Sequence, residues 1–327
     1  MGIKVKKEEL MLGDILLYHG NAFVSRAIRF FDGTYYNHAS VYIGNDKVVE
    51  SVAQGVVVAN ISQSIQGQQI LVKRLNNRPY NMQPVVEIAI GYVGNRYGYE
   101  QLLLLVLIAT TRRVRANNYL LRFVNKLLEK ASVMILKMTN GDKQALICSE
   151  LAYRSFDEVL PEHDDPYTIY LLRNLLSNTK SFKSNLIDNE SLISKFYGIT
   201  GSFDNKLSSS PFVEKSNSLY VESLKNNLLD DTTDEYFENE LERLFDDVVK
   251  SYKKEDYNIS VQEGDLFKKN MDIFMTSYNH LINKNKSFTQ PKSMNSIIND
   301  FIHDNANFVT PGDLFKAKNL LNIGNLS

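Results

Sequence analysis

The order of the hydrophobic patterns constrains the fold more than any other feature of this chain. Residues 14–18 (DILLY), 39–43 (ASVYI), 47–51 (KVVES), 55–59 (GVVVA) and 70–74 (ILVKR) are short, rich in β-branched and aromatic side chains, and divided by Gly, Asn and Asp. Such runs predict strands. A short helix is expected among them at 21–31, where Val24, Ile28 and Phe31 fall at helical spacing. From about residue 82 the spacing is helical: 84–93, 99–111, 118–137 and 148–160, then 233–252 with Leu241, Leu244, Phe245 and Val248 on one face. Pro84 suits a first helical turn and Pro161 ends the fourth of these helices. Strands followed by helices, rather than alternating with them, predict an α+β fold and exclude a doubly wound sheet.

At 327 residues the chain holds one large domain or two ordinary ones. A content of 43% hydrophobic and 23% charged residues argues against disorder. The formal net charge of −1 hides an asymmetry. Residues 1–160 carry 19 basic and 13 acidic side chains, a net +6, and residues 161–327 carry a net −7. Neither half is basic enough to read as a nucleic-acid binder, so no nucleic-acid partner is expected. One cysteine excludes an intramolecular disulfide and a thiolate metal cluster. The first ten residues, MGIKVKKEEL, hold no apolar leader, and the longest apolar run, LLLLVLIA at 102–109, falls short of the roughly 20 residues that span a bilayer. A cytoplasmic location without signal peptide or transmembrane span is expected.

The single cysteine is also the best candidate for chemistry. Cys148 sits in ALICSELAYRSF, just after the helix-breaking Thr139-Asn140-Gly141-Asp142, with Leu151, Ala152 and Phe156 placed to line the buried side of a helix. A thiol at a helix start feels the positive end of the helix dipole, and its pKa falls toward a reactive thiolate. A thiolate nucleophile also needs an imidazole and a third group to orient it. Of the five histidines, His163, His280 and His303 lie in polar segments, and His19 precedes Gly20 at a turn. His38 instead opens a strand in YYNHASVYIGNDKVVES. If the loop at Gly44-Asn45-Asp46 has odd length, Ser40 pairs opposite Glu50, and His38 and Glu50 share a face as diagonal neighbours about 7–8 Å apart. A two- or four-residue loop puts them on opposite faces. With Ala39, Val41 and Ile43 apolar, the face of His38, Ser40 and Tyr42 is expected to be the wet one.

The runs GDILLYHG, SRAIRFFDGTYYNHASVYIGNDKVVESVAQGVVV, RYGYEQLL and LICSELAYRSF resemble the circularly permuted, NlpC-like branch of the papain-like cysteine hydrolases, the YiiX-like group. In that group a Gly-Asp strand opens the domain, a histidine strand and an acid strand follow, and the cysteine helix comes last. Here these fall on Gly13-Asp14, His38, Glu50 with Gly55-Val56, and Cys148-Ser149-Glu150. Arg96-Tyr97-Gly98-Tyr99 is similar to the tyrosine-containing helix before the cysteine, and Val309 to Leu314 (VTPGDL) looks like the closing segment. The sequence departs from the pattern at Asn37, where Ser commonly precedes the histidine. The resemblance implies an antiparallel sheet packed on helices, built from residues 10–165 and 305–327, with a mainly helical insertion at 166–304 acting as lid or docking module.

The resemblance further implies a thiol hydrolase that cleaves an amide or peptide bond through a covalent acyl-enzyme. Cys148 is the nucleophile, His38 the general base and acid, and Glu50 the group that orients His38. Tyr97 is the expected oxyanion donor and Tyr18 its rival. No cofactor or metal is expected. The substrate is a peptide, an isopeptide or an acyl-lipid. The lipid alternative, an acyl hydrolase or acyltransferase at an anionic membrane surface, draws on Arg112, Arg113, Arg115, Arg122 and Lys126 on and beside the predicted helix 118–137. A non-catalytic scaffold is the remaining alternative, with the acidic stretch 230–247, nine acids and one Arg, docking on a partner or on the catalytic domain.

Overall fold

The computed structural model describes residues 3–21, 23–52, 55–95, 100–112, 114–137, 148–160, 165–171, 191–198, 234–283, 294, 296–298 and 309–327. Along the chain, β1 (Lys4–Val5), β2 (Ile15–His19), α1 (Phe23–Asp32), β3 (His38–Gly44), β4 (Lys47–Val52), β5 (Gly55–Asn60), α2 (Ile61–Ser64) and β6 (Gln69–Leu75) come first. The helices α3 (Gln83–Gly91), α4 (Glu100–Thr111), α5 (Asn118–Lys137), α6 (Cys148–Asp157), α7 (Leu192–Tyr197), α8 (Asp234–Lys253) and α9 (Val261–Asn283) follow, and α10 (Pro311–Lys316) precedes β7 (Leu320–Leu326). The fold is α+β, as the strand-then-helix order predicts. The chain divides into two compact units: Met1–Leu104 with Asp142–Phe182 and Asn307–Ser327, and Leu105–Gly141 with Lys183–Ala306. Residues 105–141, grouped above with the first domain, fall in the second unit.

The first unit is built on one seven-stranded sheet in the order β1-β7-β6-β2-β3-β4-β5. All neighbours are antiparallel except β1 and β7. The five strands read from the sequence form within a residue or two of their expected ends. β1 and β7 are the two the sequence did not announce. In β7, Asn and Gly interrupt LLNIGNL, and the strand is held by its neighbours on both sides. Strand β2 is central and buried on both faces, so its residues alternate between two cores. Ile15 and Leu17 join Ala39, Val41 and Val49 under α3 and α6, where Val85, Ala89, Leu151, Ala152 and Phe156 close the packing. Leu16 and Tyr18 point the other way and pack with Val5, Tyr42, Val48, Ile61, Ile70 and Val72. The opposite face is therefore dry where the alternation of β3 suggests it is wet: Ser40 and Tyr42 are buried. The one-turn helix α2 supplies the cover through Ile61.

Asp14 is structural. Its carboxylate takes the Arg74 fork at 2.7 and 2.6 Å and the Met11 N–H at 2.9 Å. Four hydrogen bonds made by Asp32 and Lys73 help dock the C-terminal segment. Asp32, at the end of α1, accepts from Thr310 Oγ1 and Gly312 N, both at 3.0 Å. A Cβ at Gly312 would come within 2.5 Å of that carboxylate, so only glycine fits there. The buried Lys73 ammonium, on β6, donates to Phe315 O (2.9 Å) and Asn322 Oδ1 (2.7 Å).

In the second unit α8 and α9 pack on α5. Leu120, Leu121, Phe123, Val124, Leu127 and Leu128 of α5 are all buried, and Phe123 meets Phe245 of α8 at 5.8 Å. Asn117 caps α5 by accepting from Leu120 N at 2.8 Å and ties it to α8 by donating to Ser251 Oγ at 2.9 Å.

Candidate active site

Three elements of the first unit bring Cys148, His38 and Glu50 together. Cys148 is the first residue of α6. The fully buried Leu151, Ala152 and Phe156 seat this helix against the sheet, as its spacing predicts. Ser149 fixes the first turn by donating its hydroxyl to Val309 O at 2.6 Å. His38 opens β3 and pairs with Tyr18 across β2, its ring standing edge-on to the tyrosine ring at 4.9 Å.

The register that places Glu50 depends on one irregularity. Gly44 pairs with Lys47 around a two-residue turn, Asn45-Asp46, with φ of 50° and 55°. These left-handed angles mark a tight hairpin turn. Alone, that turn would slip the pairing by one residue and send Glu50 to the far face. A bulge between Tyr42 and Gly44 absorbs the slip, and Ser40 pairs with Glu50. Gly44 itself has φ of 90°, and a Cβ there would meet Leu12 Cδ2 at 2.9 Å. The turn has even length, against the odd length required above, yet the shared face results.

The His38 Nε2 donates to Glu50 Oε2 at 3.0 Å, with both side chains nearly buried. Its other ring nitrogen is left for the thiol, and a side-chain hydrogen bond joins His38 to Cys148. The backbone N–H groups of Ala39 and Ser149 also serve the sulfur. Burial pushes the Cys148 thiol up, but the charge and hydrogen bond of His38 and the two N–H groups outweigh it, so the thiol titrates below its ordinary range. Burial works against an imidazolium too. The Cys148 thiolate and the Glu50 carboxylate overcome it and push His38 up to about 10. Burial would raise the Glu50 carboxyl, but His38 and the hydroxyl of Ser64 hold it below its ordinary range. The arrangement is a carboxylate–imidazolium–thiolate line in which the imidazolium lies between two anions and stabilises both. Such a line supplies a nucleophile and, next to it, a proton donor.

Tyr18 is close to His38 but is not free to act as an oxyanion donor. Its hydroxyl is bonded to Ser40 Oγ at 2.7 Å and Ser64 Oγ at 2.8 Å. Tyr97 lies outside the described residues, as do His163 and His303. His19 stacks on Tyr35 at 3.9 Å and sits at the β2–α1 turn. Asn37, the departure from the family pattern, is a clamp. Its oxygen accepts from Gly20 N at 2.7 Å and Arg29 Nη1 at 3.3 Å, and its amide donates to Ser25 Oγ at 2.8 Å. Ser64 is the residue sequence reasoning missed. A serine on a single helical turn carries no signal, and its partner Glu50 lies on another element.

Among its described residues the basic helix shows no free apolar face of the kind that lipid insertion needs. The apolar side of α5 is spent on packing. Arg122 pairs with Glu263 of α9 at 2.6 Å, and Lys126 pairs with Glu240 of the acidic stretch at 2.9 Å. Arg115 stacks on Tyr257 at 3.9 Å, and Arg113 lies outside the described residues. Arg112 has partners of its own. All five belong to the second unit. Among the described residues no helix is long and apolar enough to cross a membrane, and no group of three or more His, Cys, Asp or Glu is placed to hold a metal ion.

Residues 9–103 match the model of a family described as permuted papain-like amidase enzymes, YaeF/YiiX, C92 family. The matched stretch contains His38 and Glu50 and ends before Cys148. A search of curated proteins found no match.

Proposed function

We propose that this protein is a thiol hydrolase that cleaves an amide or peptide bond, with Cys148 as nucleophile, His38 as general base and acid, and Glu50 as the group that orients His38. The observation that carries this reading is the position of His38, hydrogen-bonded to Glu50 through Nε2 at 3.0 Å and close enough to Cys148 for the two to shift each other's titration. The family match over residues 9–103 supports the amide class.

In this mechanism the Cys148 sulfur attacks the carbonyl carbon and forms an S–C bond. The resulting oxyanion is held by the Cys148 backbone N–H at the start of α6 and by the Tyr97 hydroxyl. Collapse breaks the C–N bond, and His38 passes its proton to the leaving amine. Water then attacks the thioester with His38 as base, releasing the acid and restoring the thiolate. A cytoplasmic peptide or isopeptide is the substrate we assign. We assign the catalytic role to the first unit, Met1–Leu104 with Asp142–Phe182 and Asn307–Ser327. A lipid substrate at a membrane finds no such support, because the basic side chains of α5 are engaged within their own unit.

The test is labelling by a thiol-directed probe, iodoacetamide, at neutral pH. With one cysteine in the chain, every label reports Cys148. His38→Ala is expected to slow labelling by about 10²-fold or more. Labelling at an unchanged rate would sink the catalytic pair.

A further inference from the structure

The mechanism uses one oxygen of Glu50 and leaves unexplained three hydroxyls behind it, those of the fully buried Tyr18 and Ser40 and of the half-buried Ser64. Ser64 Oγ donates to Glu50 Oε2 at 3.0 Å, the same oxygen that receives His38. A serine has one proton, and Ser64 has given it to the carboxylate. The 2.8 Å bond between Tyr18 and Ser64 must then carry the tyrosine proton toward Ser64. By the same count, the 2.7 Å bond between Ser40 and Tyr18 carries the Ser40 proton toward Tyr18. Every donor in the chain points at Glu50, in the order Ser40, Tyr18, Ser64, Glu50.

Each member is held in place. Tyr18 and Ser40 have no solvent exposure and sit on paired strands. Ser64 ends a turn whose first residue, Ile61, is fully buried and whose cap, Asn60, accepts from Ser62 N at 2.9 Å. The ring of Tyr18 also braces His38. Aligned donors strengthen one another in a low-dielectric interior.

We propose that Ser64, Tyr18 and Ser40 are positioning residues that keep Glu50 ionised and aimed at His38, and so set the pH at which the Cys148 thiolate forms. This rests on the thiol-hydrolase reading of Cys148 and His38. Removal of the hydroxyl on Glu50 lets that buried carboxylate take a proton at a higher pH. The imidazolium then loses its counter-charge, and the thiolate is held less well.

The test follows thiolate absorbance against pH in the full chain, with Cys148→Ala as the blank. Ser64→Ala is expected to move the onset of the thiolate upward by about one pH unit, the worth of one hydrogen bond to a charged group. Tyr18→Phe keeps the ring against His38 and moves the onset in the same direction by less. Ser40→Ala moves it least, and Ser64→Thr restores the original curve. A role in folding alone would lower the melting temperature and leave the onset in place. Superimposable curves for wild type, Ser64→Ala and Tyr18→Phe, with His38→Ala still abolishing the low-pH thiolate, would overturn the relay and leave the reading beneath it intact. An onset that His38→Ala does not move would overturn both.

Discussion

The two faces of the central sheet bury their residues by different physics. Under α3 and α6, Ile15, Leu17, Ala39, Val41 and Val49 meet Leu151, Ala152 and Phe156. This packing is hydrophobic, and it has no preferred direction. On the opposite face, Tyr18, Ser40 and Glu50 are as deeply buried, yet each polar atom needs a particular partner. The same strands present both faces, because residues alternate along β2, β3 and β4. The apolar face tolerates volume-conserving exchange, and the polar face does not. A protein that places a charged line on one side of a sheet can thus anchor it from the other side.

The sharpest way to break this contrast is at the charged line, where α6 brings Cys148 to His38. Cys148→Ala is expected to abolish amide hydrolysis, by about 10³-fold or more, with the melting temperature nearly unchanged. Loss of activity accompanied by unfolding would show that the thiol belongs to the core and not to the chemistry. On the apolar face, Phe156→Ala is expected to cost about 3–5 kcal/mol in a denaturant titration. The thiolate onset should stay put in whatever fraction remains folded. Glu50→Gln keeps the shape and removes the charge, and about a 10²-fold loss of turnover is expected. A loss under threefold would leave Glu50 as a packing group.

The pH dependence divides the two roles of His38. Its pKa is raised, so the imidazolium persists through neutrality and is lost as pH rises through about 10. Turnover, which needs the proton, should fall there. Alkylation of the thiolate, which does not, should not fall. Parallel decline of both would point to unfolding. The smallest expected effect lies in the second unit, where Lys126 and Glu240 pair at 2.9 Å with roughly a third of each side chain exposed. A double-mutant cycle there should give about 0.2–1 kcal/mol and no change in turnover.

Much of this architecture is readable before any coordinates. Local patterns are enough for the five strands and for the helices α1, α3 to α6 and α8, because each rests on periodicity or on a helix start; the grouping of Cys148, His38 and Glu50 comes from the resemblance to a known family. What escapes depends on distant partners. The bulge at Ile43 decides which face Glu50 takes, and it answers to Gly44 lying against Leu12. Strand β7 forms from an irregular sequence because β6 and β1 flank it. Ser64 acquires meaning only from Glu50. The basic stripe on α5 looks like a membrane surface until Glu240 and Glu263 neutralise part of it.

The place of β7 has a consequence for synthesis. It lies between β1 and β6, and Lys73 of β6 holds Asn322 of β7 across 249 residues of sequence. On the ribosome, β6 is exposed as an open edge while all of that intervening chain is still being made. Val309, which anchors the first turn of α6, emerges equally late. The first turn of α6, which carries Cys148, therefore gains this tie only after Val309 has been made, and β6 gains its second neighbour only with β7.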